Sequence, residues 1–131
     1  MVTLTTNEVK VSAESTFQRQ YSEPTNGQYV FSYRIQIENN SARPIRLLAR
    51  RWEVISATGE RRLVEGEGVV GQQPTILPGQ SHEYTSWVQF ETRIGFMQGN
   101  YIMSREDRRG REVLFEVTVP KFAHVAPEAL N

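Results

Sequence analysis

Tyr29-Val-Phe-Ser-Tyr-Arg-Ile-Gln-Ile-Glu38 alternates with a period of two. The odd positions Tyr29, Phe31, Tyr33, Ile35 and Ile37 are apolar or aromatic, and Ser32, Arg34, Gln36 and Glu38 are polar. Successive side chains of a strand point to opposite faces, so this pattern predicts a half-buried strand with one face on a core and one in water. Val113, Phe115, Val117 and Val119 repeat it, as do Tyr84, Ser86, Val88 and Phe90 with Glu83, Thr85, Gln89 and Glu91 opposite. In Ile45–Ser56 the phase breaks: Ile45 and Leu47 share one parity, Leu48, Trp52 and Val54 the other, which predicts a bulge or a strand covered on both faces. Further strands are expected at about 7–17, 61–66 and 99–106. Asn26-Gly27, Asn39-Asn-Ser, Thr58-Gly59, Pro78-Gly79 and Arg109-Gly110 supply turns, and no helical periodicity is sustained beyond one turn. The expected fold is an all-β antiparallel sandwich of seven to eight strands, immunoglobulin/fibronectin type III-like.

The 131 residues are read as a single domain, 1–131, with a core over about 8–122 and residues 123–131 as a loosely held tail. Fifteen basic and fifteen acidic side chains cancel, which removes any general attraction to nucleic acid or an anionic membrane. Thirteen of the basic residues are Arg, beside only Lys10 and Lys121. With no cysteine there is no disulfide, thiolate metal site or Cys nucleophile. No signal-peptide pattern opens the sequence and no run of eighteen apolar residues occurs, so a cytoplasmic protein without membrane insertion is expected.

Val64-Glu-Gly-Glu-Gly-Val-Val-Gly-Gln-Gln-Pro74 contains Gly66-x-Gly68-x-x-Gly71, the spacing that cradles pyrophosphate in dinucleotide-binding proteins. That fingerprint needs a helix opening at the third glycine, and Pro74 and Pro78 forbid one. Two readings stay open: a glycine-shaped corner or protein-contact loop, and an anion-binding nest flanked unfavourably by Glu65 and Glu67. Gly66, Gly68, Gly71, Gln73 and Pro74 are the candidate binding loop. Arg50 and Trp52 share one strand face and are the candidate contact face, with stacking of guanidinium on indole as the functional reading and an ion pair beside a core Trp as the plain one.

Arg105-Glu-Asp-Arg-Arg-Gly-Arg111 reads as a solvated hairpin tip without interleaved aromatics. The histidines, His82 and His124, are far apart and have no metal-site spacing, so no metal or cofactor is assigned. No Gly-x-Ser-x-Gly elbow or local nucleophile–base pair occurs, and no catalytic residue is assigned.

Taken in order, Tyr29-x-Phe31-x-Tyr33-x-Ile35-x-Ile37-x-Asn39, Leu47-Leu48-x-Arg50-x-Trp52, Val64-x-Gly66-x-Gly68-Val-Val-Gly71-x-Gln73-Pro74, Pro78-Gly79, Tyr84-x-Ser86 and Met97-x-Gly99-x-Tyr101-x-Met103 resemble the ApaG family. The resemblance runs over roughly residues 8–122. It implies a fibronectin type III-like fold, a cytoplasmic location and an association with cobalt resistance and magnesium efflux. In eukaryotes similar domains lie within an F-box protein and a DNA-polymerase-interacting protein, which implies protein recognition. The leading expectation is therefore a non-enzymatic module that binds a protein partner. On that reading, substitution of Gly68 or Arg50 abolishes capture while stability stays close to wild type. The alternative is a sensor of a nucleotide polyphosphate (diadenosine tetraphosphate or ATP, with or without a divalent cation) at the Gly66-x-Gly68-x-x-Gly71 loop. Oligomeric state is left open.

Overall fold

The structure is a computed structural model and describes residues 1–127. Among them are nine strands: β1 (Val2–Thr6), β2 (Val9–Phe17), β3 (Tyr29–Asn39), β4 (Ile45–Ser56), β5 (Arg61–Glu67), β6 (Thr75–Ile76), β7 (Ser81–Phe90), β8 (Ile94–Glu106) and β9 (Glu112–Val125). Two single-turn 3-10 segments, Arg19–Tyr21 and Pro24–Asn26, join β2 to β3. One sheet has the order β1-β2-β3-β7 and the other β5-β4-β8-β9, with β6 pairing β4. All pairings are antiparallel, and the two sheets form a β-sandwich.

The alternation in β3 sorts side chains as its sequence predicts: Phe31, Ile35 and Ile37 are fully buried and Tyr33 nearly so, while Arg34 and Gln36 face water. The other sheet contributes Trp52, Met97, Tyr101, Met103, Val117 and Val119. Each such side chain contributes about 1.5–3 kcal/mol by leaving water. The phase break in β4 is a bulge: its register against β8 shifts between Leu47 and Ala49, so Ile45, Leu47, Trp52 and Val54 all reach the core despite their different parity.

The strand count exceeds expectation by β1 and the two-residue β6. The segment expected as one strand from residue 7 begins as a hairpin turn. Asn7 (φ 51°) and Glu8 (φ 66°) both lie in the left-handed region that a two-residue hairpin loop requires, without a glycine to announce it. Asn7 Nδ2 also donates to the Glu116 carbonyl (2.8 Å), fastening this hairpin to β9.

The tail expected from residue 123 is corrected as well. β9 continues to Val125, with Phe122, His124 and Ala126 buried. Burial switches from odd positions (Val117, Val119) to even ones where the β8–β9 register shifts between Met97 and Gly99, opposite Pro120. Residues 128–131 of the expected tail lie outside the described residues.

Candidate functional site

The bulge at Leu48 is where the site begins. A bulged residue leaves the ladder, so its carbonyl is available to something else. Here the Leu48 carbonyl accepts from the Gly68 N–H (2.8 Å) and from Gln73 Nε2 (3.0 Å). Leu47 N–H donates to the Pro74 carbonyl (3.0 Å), and Arg46 reaches Gln73 O (3.3 Å) and Oε1 (3.5 Å). The chain between β5 and β6 is thereby sewn onto the edge of β4. Gln73 and Pro74, expected as ligand contacts, act as tethers.

Arg50 lies opposite Gly66 on β5 and Tyr101 on β8. A Cβ at Gly66 would stand 2.8 Å from Arg50 Nη1, so the glycine makes room for the guanidinium to cross it. Arg50 Nη1 then donates to the carbonyls of Glu67 (3.1 Å) and Gly68 (3.0 Å). The guanidinium neither stacks on Trp52 nor pairs with a carboxylate among the described residues; both readings of this residue are replaced by a clamp on the loop backbone.

Trp52 is not on a contact face. It is 3% exposed and packs edge-on against Tyr33, Tyr101 and Phe122, because its parity after the bulge points into the sandwich.

Gly68 is buried with φ 62°, and a Cβ there would fall 2.2 Å from the Gln72 carbonyl oxygen. Val69 and Gln72 exchange both backbone bonds (2.8 and 3.0 Å) around Val70 (φ 47°) and Gly71 (φ 74°). Two successive positive φ values make this a type I′ turn, which favours Asn-Gly; Val at its first central position is strained. Val70 is nevertheless 61% exposed at the apex. The N–H groups of Gly68, Val69 and Gln72 are all spent on protein carbonyls, and the strand β6 rather than a helix follows.

Behind Arg50 lies a buried hydroxyl cluster. Tyr84 on one sheet and Tyr101 on the other share a 2.5 Å hydrogen bond that bridges the sandwich, and Tyr33 stands opposite Ser86 in the β3–β7 pairing. Burial raises the pKa of all three phenols, Tyr101 well above the ordinary value, while the nearby Arg50 charge acts in the opposite direction. They are neutral hydroxyls at any physiological pH. In sequence these tyrosines show only core alternation, and nothing in their spacing marks the bridge.

The other singled-out residues lie elsewhere. Asp107 Oδ1 accepts from the N–H groups of Arg109 and Arg111 (2.8 and 2.9 Å), forming the hairpin tip between β8 and β9, and Arg105 sits 4.5 Å from the Phe115 ring centroid. A cleft of about 400 Å³ opens beside Leu48 and Thr75, where Arg43, Arg46 and Arg105 are mixed with Glu106 and Glu112. His82 is on β7, whereas His124 is fully buried on β9. His124 Nδ1 bonds Ser15 Oγ (2.7 Å), and its Nε2 has no partner among the described residues. Burial pushes this imidazole down to a pKa of about 4.

Comparison with known proteins agrees with the residue pattern. The ApaG domain family model matches residues 19–105. Protein ApaG of Anaeromyxobacter dehalogenans (strain 2CP-1) is 42% identical over 131 residues, the full length of both chains. Protein ApaG of Pseudomonas putida (strain F1) is 39% identical over 124 residues, 95% of each. A crystal structure of the putative ApaA protein from Bordetella pertussis superposes with a TM-score of 0.85 at 34% identity, covering 92% of this chain and 95% of that one. With motif order, full-length identity and backbone superposition in agreement, the chain belongs to the ApaG family.

Proposed function

We propose that this chain is a non-enzymatic cytoplasmic interaction module whose contact element is the apex of the 68–73 loop. The observation that carries this reading is Val70: a β-branched residue held at φ 47° and 61% exposed. Left-handed backbone at a non-glycine residue costs on the order of 1–3 kcal/mol and tends to persist where function uses it. The burial that usually offsets such a cost is absent for this side chain. Arg50, Gln73 and the Leu48 carbonyl hold the apex rigid from below, which lowers the entropy lost on docking. No helix of the described residues is long and apolar enough to cross a membrane, so an influence on cobalt tolerance or magnesium efflux would pass through the partner.

Val70→Asn tests this directly, because Asn-Gly suits the turn and removes the apolar apex. Expected are a gain of about 1 kcal/mol in stability, read as a rise of roughly 3–5 °C in thermal midpoint, and a large loss of partner capture in quantitative pull-downs. Equal capture by the stabilised variant and the wild type would remove the apex from the interface.

The nucleotide-polyphosphate alternative has less support, since three loop N–H groups are already committed internally. A rise in thermal midpoint specific to ATP or diadenosine tetraphosphate would favour it: a ligand at a hundred times its dissociation constant adds about 2.7 kcal/mol.

A further inference from the structure

β5 lies at the edge of its sheet and, among the described residues, is paired on one side only, to β4. At the two ends of that ladder Ser56 N–H donates to Glu60 O (2.9 Å) and Gly68 N–H donates to Leu48 O (2.8 Å), and the register between them runs without a shift. Antiparallel bonding alternates along a strand, so the even-numbered residues of β5 turn their peptide groups toward β4. Arg61, Leu63 and Glu65 turn theirs outward. The strand has no proline, and β5 contributes Leu63 at 72% exposure on the face away from the core, beside Arg61 and Glu65.

Arg61-x-Leu63-x-Glu65 is its own complement. Laid antiparallel against an identical strand about a two-fold axis through Leu63, each Arg61 stands opposite a Glu65 and the two Leu63 side chains meet. On the other face the same register sets Glu60 opposite Gly66, across which the Arg50 guanidinium lies without a carboxylate partner among the described residues. Centring the pair on Val64 instead would keep an Arg61–Glu67 match, but it would bring Arg62 beside that guanidinium and set the apolar Leu63 against the charged Glu65. Arg61 pairs within the chain with Glu53, and Glu65 with Arg51, yet Arg61 and Glu65 remain 62% and 61% exposed and open to a second partner. Charges on an edge normally discourage indiscriminate pairing; here the register centred on Leu63 joins opposite charges and the two exposed leucines at once.

We propose that β5 is a homodimerisation strand, pairing with β5 of a second copy of this chain in an antiparallel register centred on Leu63. The contact lies on the free edge of β5 and goes beyond the loop-apex reading of function.

Sedimentation over about 1–500 μM would compare the full chain, Arg61→Glu, Glu65→Arg and an equimolar mixture of the two variants, with thermal midpoints confirming that each is folded. The wild type is expected to form a dimer with increasing concentration. Each single reversal places like charges opposite one another twice and should weaken the dimer at least about tenfold. The mixture should recover it. In the mixed pair the two acidic side chains of the Arg61→Glu variant face the two basic side chains of the Glu65→Arg variant, so both contacts regain opposite charges. A monomer at every concentration, a dimer insensitive to both reversals, or a mixture that fails to recover what the single variants lost would each overturn the proposal.

Discussion

Gly68 and Val70 are two residues apart, both in left-handed backbone, with opposite consequences for substitution. At Gly68 the interior is closed: a Cβ would meet the Gln72 carbonyl oxygen at 2.2 Å. Gly68→Ala is expected to lose about 3 kcal/mol of stability in urea unfolding, through strained φ combined with a backbone clash. Near-wild-type stability would show that the loop relaxes around the methyl group. This revises the expectation that a Gly68 variant separates binding from folding; Val70 is the residue proposed to do so. The spacing Gly66-x-Gly68-x-x-Gly71 is visible in the sequence, but the three glycines serve three different needs. Gly66 admits Arg50, Gly68 allows close backbone approach, and Gly71 completes the turn.

β4 and the loop that covers its edge behave as one unit. The phase break in Ile45–Ser56 leaves a bulge or a doubly covered strand open, and the structure shows the bulge. Its consequence is not legible in the sequence, because the freed Leu48 carbonyl is answered by groups about twenty residues away. Arg50 is the clamp of this unit. Arg50→Met keeps the aliphatic stem but forfeits both carbonyl bonds, with an expected cost of about 1–2 kcal/mol. Amide exchange of residues 68–73 should accelerate while the β8–β9 amides keep their protection. Uniform acceleration across both would mean that Arg50 supports the whole sandwich rather than the loop.

The two sheets are tied to one another by packing and by the polar bridges Tyr84–Tyr101 and Ser15–His124. His124 makes this closure sensitive to acid. It is surrounded by Phe31, Tyr33, Phe90 and Phe122, with ring centroids 4.9–6.0 Å away, and its Nε2 is unpartnered among the described residues. Its folded pKa of about 4 lies below the ordinary value of 6.5, so the unfolded chain binds the proton more readily. The stabilisation is complete above pH 6.5 and is lost as pH falls toward 4, amounting to about 3 kcal/mol. His124→Phe should flatten this slope in urea unfolding measured across the window. An unchanged slope would assign the acid sensitivity to carboxylates.

Alternation of side chains is a property of a strand's own covalent geometry, so the all-β class, the inward face of β3 and the bulge in β4 could be read from local sequence. The β1–β2 turn at Asn7-Glu8 shows the limit of that reading: left-handed residues need no glycine when pairing on both sides holds them. Which sheet a strand joins, what crosses Gly66 and where the Trp52 face points depend on register between strands remote in sequence. A one-residue shift there reverses every facing. Such a shift, opposite Pro120, turns the expected tail into the wall that buries His124. Tertiary pairing also decided that the loop's N–H groups point at protein carbonyls and that Val70 alone of the Val-Val pair reaches solvent. Hydrogen-bond partners are assigned by proximity in space, which no local period encodes.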